Sequence, residues 1–146
     1  MTVPIERDSR TDLEVAFHHI GFVVASIEKC VKQFAQSIAA RWDGNIIHDQ
    51  LQGVRVTFLQ HSRVGSPLLE LVEPAADDSP VKSFLNKGGG LHHICYEVNS
   101  LDRAMEYAHS CGGLIIRQPL PAIVFGGRRI AWVYTPERLL VEYLER

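Results

Sequence analysis

Two stretches of this chain, FHHIGFVVASIEKCVKQFA from residue 17 and LHHICYEVNSLDRAMEYAH from residue 91, can be laid over one another. Each opens on His-His-Ile, runs through apolar residues to a Ser, an apolar residue and an acid, and continues as helix-like sequence. The two copies lie 74 residues apart, about half of the 146-residue chain. A second echo closes each half: Leu68-Leu69-Glu70-Leu71 and Leu140-Val141-Glu142-Tyr143. His19 precedes Glu70 by 51 residues and His93 precedes Glu142 by 49. A supersecondary unit that starts on a His, ends on a Glu and occurs twice restricts the fold more than any other feature.

The element order read along the chain is β-α-β-β-β, twice. In the first half a strand at 16–24 leads to Ser26, a helix N-cap with Glu28 in the first turn, where the helix dipole favours an acid. The helix buries Ile27, Val31, Phe34 and Ile38 at near-helical spacing. A short strand at 46–48 follows. Val54, Val56 and Phe58 then alternate with Arg55, Thr57 and Leu59, the pattern of a half-buried strand. A last strand covers 68–72. The second half repeats this with a strand at 91–98, Ser100 as N-cap, a helix at 101–111, a Gly112-Gly113 stop and a strand at 114–117. A Pro- and Gly-containing loop at 118–127 precedes a hairpin around Pro136.

The chain reads as α+β, a single domain over 15–146: module one at 15–74, a linker helix at 75–90 and module two at 91–146. In the linker, Asp78 or Ser79 caps a short helix with Pro80 in its first turn, and Gly88-Gly89-Gly90 ends it. Residues 1–14 are polar without periodicity and read as a flexible lead-in. One helix cannot cover both faces of each half's sheet, so the halves are expected to share a core or a cleft.

A chain of this length buries roughly 70% of its unfolded surface unaided. Its formal charge of -2 supplies no electrostatic reason for nucleic acid or an anionic membrane as partner. Cys30, Cys95 and Cys111 are too few and too scattered for a disulfide framework, and Cys30 and Cys95 sit in apolar patterns as small core residues. With no run of 18 apolar residues and no signal-peptide pattern, the expected compartment is the reducing cytoplasm.

Glu70 in LLELV and Glu142 in LLVEYL each interrupt an apolar run. A buried carboxylate needs a counter-charge, hydrogen bonds or a metal. If the first and last strands of each half are neighbours, two His and two Glu converge on one cleft. Such an N2O2 donor set suits one divalent ion, with zinc, cobalt, nickel, manganese and iron all admissible. Strand alternation directs His18 and His92 to the opposite side, as structural neighbours or supports of the ligands.

The stretches GVRVTFL, LLELVEP, DSPVKSFL and GGGLHHICYEV resemble the vicinal oxygen chelate superfamily, and within it the epimerases of methylmalonyl-CoA type. Members are built from paired βαβββ modules enclosing a metal site. The resemblance places the metal ligands on His19, Glu70, His93 and Glu142. It implies a metal-dependent epimerase or racemase that moves a proton α to the carbonyl of a small acyl thioester, working as a homodimer. Glu142, then Glu70, are the implied acid/base groups.

Two departures matter. Some members carry a second Glu three residues beyond the Gly of the Gly-Val stretch, where this chain has Val56. Either Glu70 supplies the second base, replacing the Gln of some epimerases, or the reaction is not a two-base epimerisation. The stretch PAIVFGGRRIAWVYTPERLL also replaces the family's Gly-His-Gly-Lys-Pro loop, and Arg128 and Arg129 within it are candidate contacts for a substrate anion. The competing reading is a glyoxalase I-like isomerase acting on a hemithioacetal, whose ligand set is also His/Glu/His/Glu. A biosynthetic relative with another acyl substrate is a further alternative. An extradiol dioxygenase needs open positions that Glu70 would fill, and a metal-free binding protein predicts eroded ligand positions.

Overall fold

A computed structural model describes residues 12–146. The strands are β1 (Val15–Val23), β2 (Arg41–Trp42), β3 (Ile47–Asp49), β4 (Val54–Gln60), β5 (Leu68–Pro74), β6 (Gly90–Val98), β7 (Leu114–Pro121), β8 (Arg129–Tyr134) and β9 (Leu140–Glu145). The helices are α1 (Ile27–Ser37), α2 (Lys82–Asn86) and α3 (Leu101–Ser110), with a 3-10 turn at Ile123–Phe125. The class is α+β. All nine strands form one curved, unclosed mixed sheet in the order β2-β4-β5-β1-β6-β9-β8-β7, with β3 also paired to β4.

The duplication is visible in the pairing. β1 runs parallel to β5, β6 runs parallel to β9, and the halves join where β1 and β6 pair antiparallel. First and last strands of each half are therefore neighbours, as the convergence of His and Glu requires. The halves differ at their outer edges. β2 and β3 pair with different parts of β4, where the second half has the single longer β7 along β8.

Each helix covers the outer face of its own half. Ser26 and Ser100 accept from the Lys29 and Arg103 backbone N–H groups, satisfying donors that the first helical turn leaves unpaired. α1 lays Ile27, Val31 and Ala35 against Leu59 and Leu71, and α3 lays Leu101, Ala104 and Met105 against Val98 and Ala131. Full burial of a side chain such as Ile27 is worth about 1.5–3 kcal/mol. The opposite face of the sheet is lined by Val54, Val56 and Val72 in one half and by Ile130 and Leu144 in the other, with Val124 packed against both groups.

Several local expectations change. The buried stripe of α1 is 27, 31 and 35, and Phe34 and Ile38 flank it half-buried, Phe34 edge-on to Phe22 at 5.0 Å. β4 is covered on both faces, not one: Leu59 meets α1 while Val54 and Val56 line the cleft. The expected loop at 118–127 is strand as far as Pro121, because β7 is an edge strand whose prolines need no ladder N–H. Neither Asp78 nor Ser79 caps α2: it starts after Val81 without a side-chain cap, and the Ser79 hydroxyl is buried without a partner. Of the lead-in, 1–11 lie outside the described residues. Asp12 and Glu14 are tied to Asn99, whose amide donates to Asp12 O and whose Oδ1 accepts from Glu14 N.

Candidate metal centre

The centre is built where β5, β1, β6 and β9 lie side by side. Residues directly opposite on neighbouring strands face the same side of a sheet. Glu70 stands opposite Gly21, which stands opposite His93; His19 stands opposite Cys95, which stands opposite Glu142. Each row thus has a small residue in the middle and a His and a Glu at its ends. The small residues are what let the ends lean together. A Cβ on Gly21 would fall inside the His93 imidazole.

Four donor atoms converge. His19 Nε2 is 3.1 Å from His93 Nε2, His93 Nε2 is 3.1 Å from Glu142 Oε2, and His19 Nε2 is 3.5 Å from Glu70 Oε2. The remaining His–Glu separations are both 3.7 Å, and the four donors lie within 4.8 Å of one another. All four residues are at most 4% exposed. Ligands at about 2.1 Å from one ion stand roughly 3.0–3.4 Å apart in octahedral or tetrahedral sets. The two 3.1 Å separations fall in that range, and the other three, at 3.5–3.7 Å, lie just above it.

The electrostatics point the same way. Among the described residues, no Lys or Arg pairs with Glu70 or Glu142. Burial raises the Glu70 carboxyl above its ordinary value, against the opposing charge of His19 and with the charge of Glu142 adding to the rise. Burial also pushes Glu142 up, but hydrogen bonds from His19 and His93 outweigh it and hold Glu142 down to about 2. His19 is lowered by burial yet ends above its ordinary value, because Glu70 and Glu142 outweigh that effect. Glu142 Oε1 is buried with no hydrogen-bond partner. A pair of buried carboxylates, two imidazoles and an orphaned oxygen suit a divalent cation.

His18 and His92 are not on the opposite side. Phe17 pairs with Tyr96 and His19 with Cys95, so His18 is an extra residue in β1; Gly21 pairs with His93 and Phe22 with Leu91, so His92 is an extra residue in β6. Each is a β-bulge, which breaks strand alternation and re-aims a side chain. As a result His18 Nδ1 lies 2.8 Å from His19 Nδ1, and His92 Nδ1 lies 2.8 Å from His93 Nδ1. Burial, then the neighbouring His93, lowers His92 to about 4, and burial, then His19, lowers His18. An outer histidine that accepts the inner Nδ1–H leaves the inner Nε2 as the atom toward the centre, where an ion would take the place of the proton shared with Glu142.

A cleft opens beside the centre, about 720 Å³ with the open solvent at its mouth included. Val54, Val56, Val124, Phe125, Ile130 and Trp132 make its walls apolar. The Val56 position, where some epimerases have an acid, is buried and apolar. Arg128 and Arg129 do not line the cleft. Arg128 Nη1 is 2.9 Å from Glu97, and Arg129 binds Glu145 through two bonds of 2.7 and 2.9 Å. The cleft's own guanidinium is Arg117, bonded to Gln52; Asp49 lines the cleft too, and the sequence singled out none of the three as a site residue. Gly21 and Cys95 were missed as well. Their signal was present, a small residue after each His-His-Ile.

The family model for the glyoxalase/bleomycin resistance protein/dioxygenase superfamily matches residues 18–132. The chain belongs to this superfamily. Within it, the chain is 32% identical over 90 residues to mitochondrial methylmalonyl-CoA epimerase of Bos taurus, covering 60% of this chain and 49% of that one. It is 27% identical over 119 residues to the ethylmalonyl-CoA/methylmalonyl-CoA epimerase of Cereibacter sphaeroides, covering 80% and 86%. The chain spans about half the length of the mammalian relatives it matches. In structure it is similar to a variant of Streptomyces coelicolor methylmalonyl-CoA epimerase in complex with 2-nitronate-propionyl-CoA, with TM-score 0.72 and 25% identity over 89% of this chain and 93% of that one. Among the described residues no helix is long and apolar enough to cross a membrane.

Proposed function

We propose that this superfamily member is a divalent-metal-dependent epimerase or racemase that moves a proton α to the carbonyl of a small acyl thioester. The observation that carries the reading is the buried cluster of His19, Glu70, His93 and Glu142, two donors from each half. These four residues would hold the ion. The bound ion supplies electrophilic polarisation of two adjacent substrate oxygens, which acidifies the C–H between them. The similarity to epimerases of methylmalonyl-CoA supports this substrate class.

The chain's own groups do the proton transfer. Glu142 carries an oxygen with no protein partner, so Oε1 is the basic atom available to a substrate C–H. Glu70 comes from the other row and the other half, and is the second carboxylate at the centre to return a proton. Besides Glu70 and Glu142 the cleft is lined by one further carboxylate, Asp49, whose two oxygens accept from Gln52 N and Val124 N.

The apolar Val56 and the presence of Glu70 favour a second reading, isomerisation of a hemithioacetal in the manner of glyoxalase I. Exchange of the α-proton of methylmalonyl-CoA in deuterated water, with metal-replete protein, separates the two. Deuterium uptake that disappears in Glu142→Gln supports the epimerase. No uptake, with consumption of the methylglyoxal–glutathione hemithioacetal, replaces it with the second reading.

A further inference from the structure

Beyond the reacting centre, we propose that Arg117 is a specificity determinant that binds an oxyanion, carboxylate or phosphate, at the far end of the substrate. The inference rests on the proposed use of the cleft for an acyl substrate and adds what that substrate must carry.

Three observations place the group. Arg117 stands opposite Trp132, and Trp132 stands opposite Glu142, so the three form one row across β7, β8 and β9. Strands lie 4.7–4.9 Å apart, which puts the Arg117 backbone about 10 Å from that of Glu142, with the Trp132 ring between. Register shifts flank Arg117 on both sides. In consequence Ile116 and Arg117 both line the cleft while Ile115 packs toward α3. This is the same device that turns His18 and His92 inward.

Among the described residues the Arg117 guanidinium makes no ion pair. Its only hydrogen bond among the described residues goes to a neutral amide, Gln52 Oε1, at 3.4 Å. Gln52 is itself 7% exposed and fixed: its side-chain nitrogen donates to Pro121 O, and its backbone N–H donates to Asp49 Oδ1. The other Asp49 oxygen accepts from Val124 N at the 3-10 turn. A buried amide oriented by two anchors holds one edge of Arg117 and leaves the remaining donors of its fork for a ligand. The other ligand-facing charges in the cleft are acidic, so Arg117 is the position where an anionic head is favoured.

Binding to metal-replete protein, measured by calorimetry, tests this without turnover. The probes are ethylmalonate, carboxymethylmalonate and phosphonomethylmalonate, which share one chelating end and differ in the remote group. The expected result is a preference of at least about tenfold for one of the two anionic heads over ethylmalonate, as a charge-assisted pair supplies. Arg117→Met should abolish that preference, and Arg117→Lys should keep part of it. The head preferred identifies a carboxylate or a phosphate as the group recognised. Equal binding of all three probes, binding of none, or an undiminished preference in Arg117→Met overturns the inference. A preference in a protein that exchanges no α-proton retains it and removes only the epimerase reading.

Discussion

Gly21 and His93 face each other across the β1/β6 pairing, and the imidazole occupies the space where any side chain at residue 21 would begin. The first prediction follows from that occupancy. Gly21→Ala must move His93, and overpacking of this kind costs about 1–3 kcal/mol. Metal affinity should fall by more than about tenfold, because His93 leaves the set. Cys95→Ala, at the matching position opposite His19, keeps a small residue there and removes a thiol beside Glu142, so it should disturb the centre far less than Gly21→Ala. Metal titration of the two variants side by side checks the contrast.

The bulged histidines give the second. His92→Phe keeps an aromatic ring against Phe84 but removes the acceptor for His93 Nδ1–H. Loss of such a support typically lowers metal affinity by about 10–100-fold with the fold retained. His92→Asn, which can still accept, should recover part of the loss. Equal affinity in wild type and His92→Phe would remove the supporting role.

The third concerns pH. In the metal-free protein His19 sits above its ordinary 6.5, since Glu70 and Glu142 outweigh its burial. A raised folded-state value means that its contribution to stability is complete below 6.5 and is lost as pH rises through the raised value. An ion must displace that proton, so metal affinity grows over the same window. Melting temperatures of chelator-treated and metal-loaded protein should therefore diverge as pH rises above 6.5. Parallel curves would contradict this assignment.

The fourth concerns Arg128 and Arg129. Arg129 and Glu145 are both partly exposed, so solvent screens their pairing. Arg129→Ala should leave substrate affinity within about twofold, whereas Arg117→Met should not. Steady-state measurement of KM for both variants decides whether the anion contact lies on β7 or at the start of β8.

The contrast between these arginines marks what a sequence can carry. The doubled His-His-Ile and the two acids in apolar runs were enough to find both halves, the strands that open and close them and all four converging side chains, but not the short β2. Those features are local or repeat at fixed spacing. The inward turn of His18, His92 and Arg117 is not local, because a bulge exists only relative to a partner strand. For β1 and β6 that partner lies about half the chain away. The pairing of Arg128 with Glu97 and of Arg129 with Glu145 likewise depends on which strands become neighbours. Pro119 and Pro121 read as loop residues until the position of β7 at the sheet edge makes them tolerable.

The central claim is that four buried side chains from two repeated halves form one divalent-metal site. Metal analysis after reconstitution and removal of excess ion tests it most directly. The account predicts one equivalent per chain for the wild type, and a loss in His19→Ala and in His93→Ala while far-ultraviolet circular dichroism stays native. A folded wild-type protein that retains no divalent ion, or alanine variants that retain a full equivalent, would contradict it.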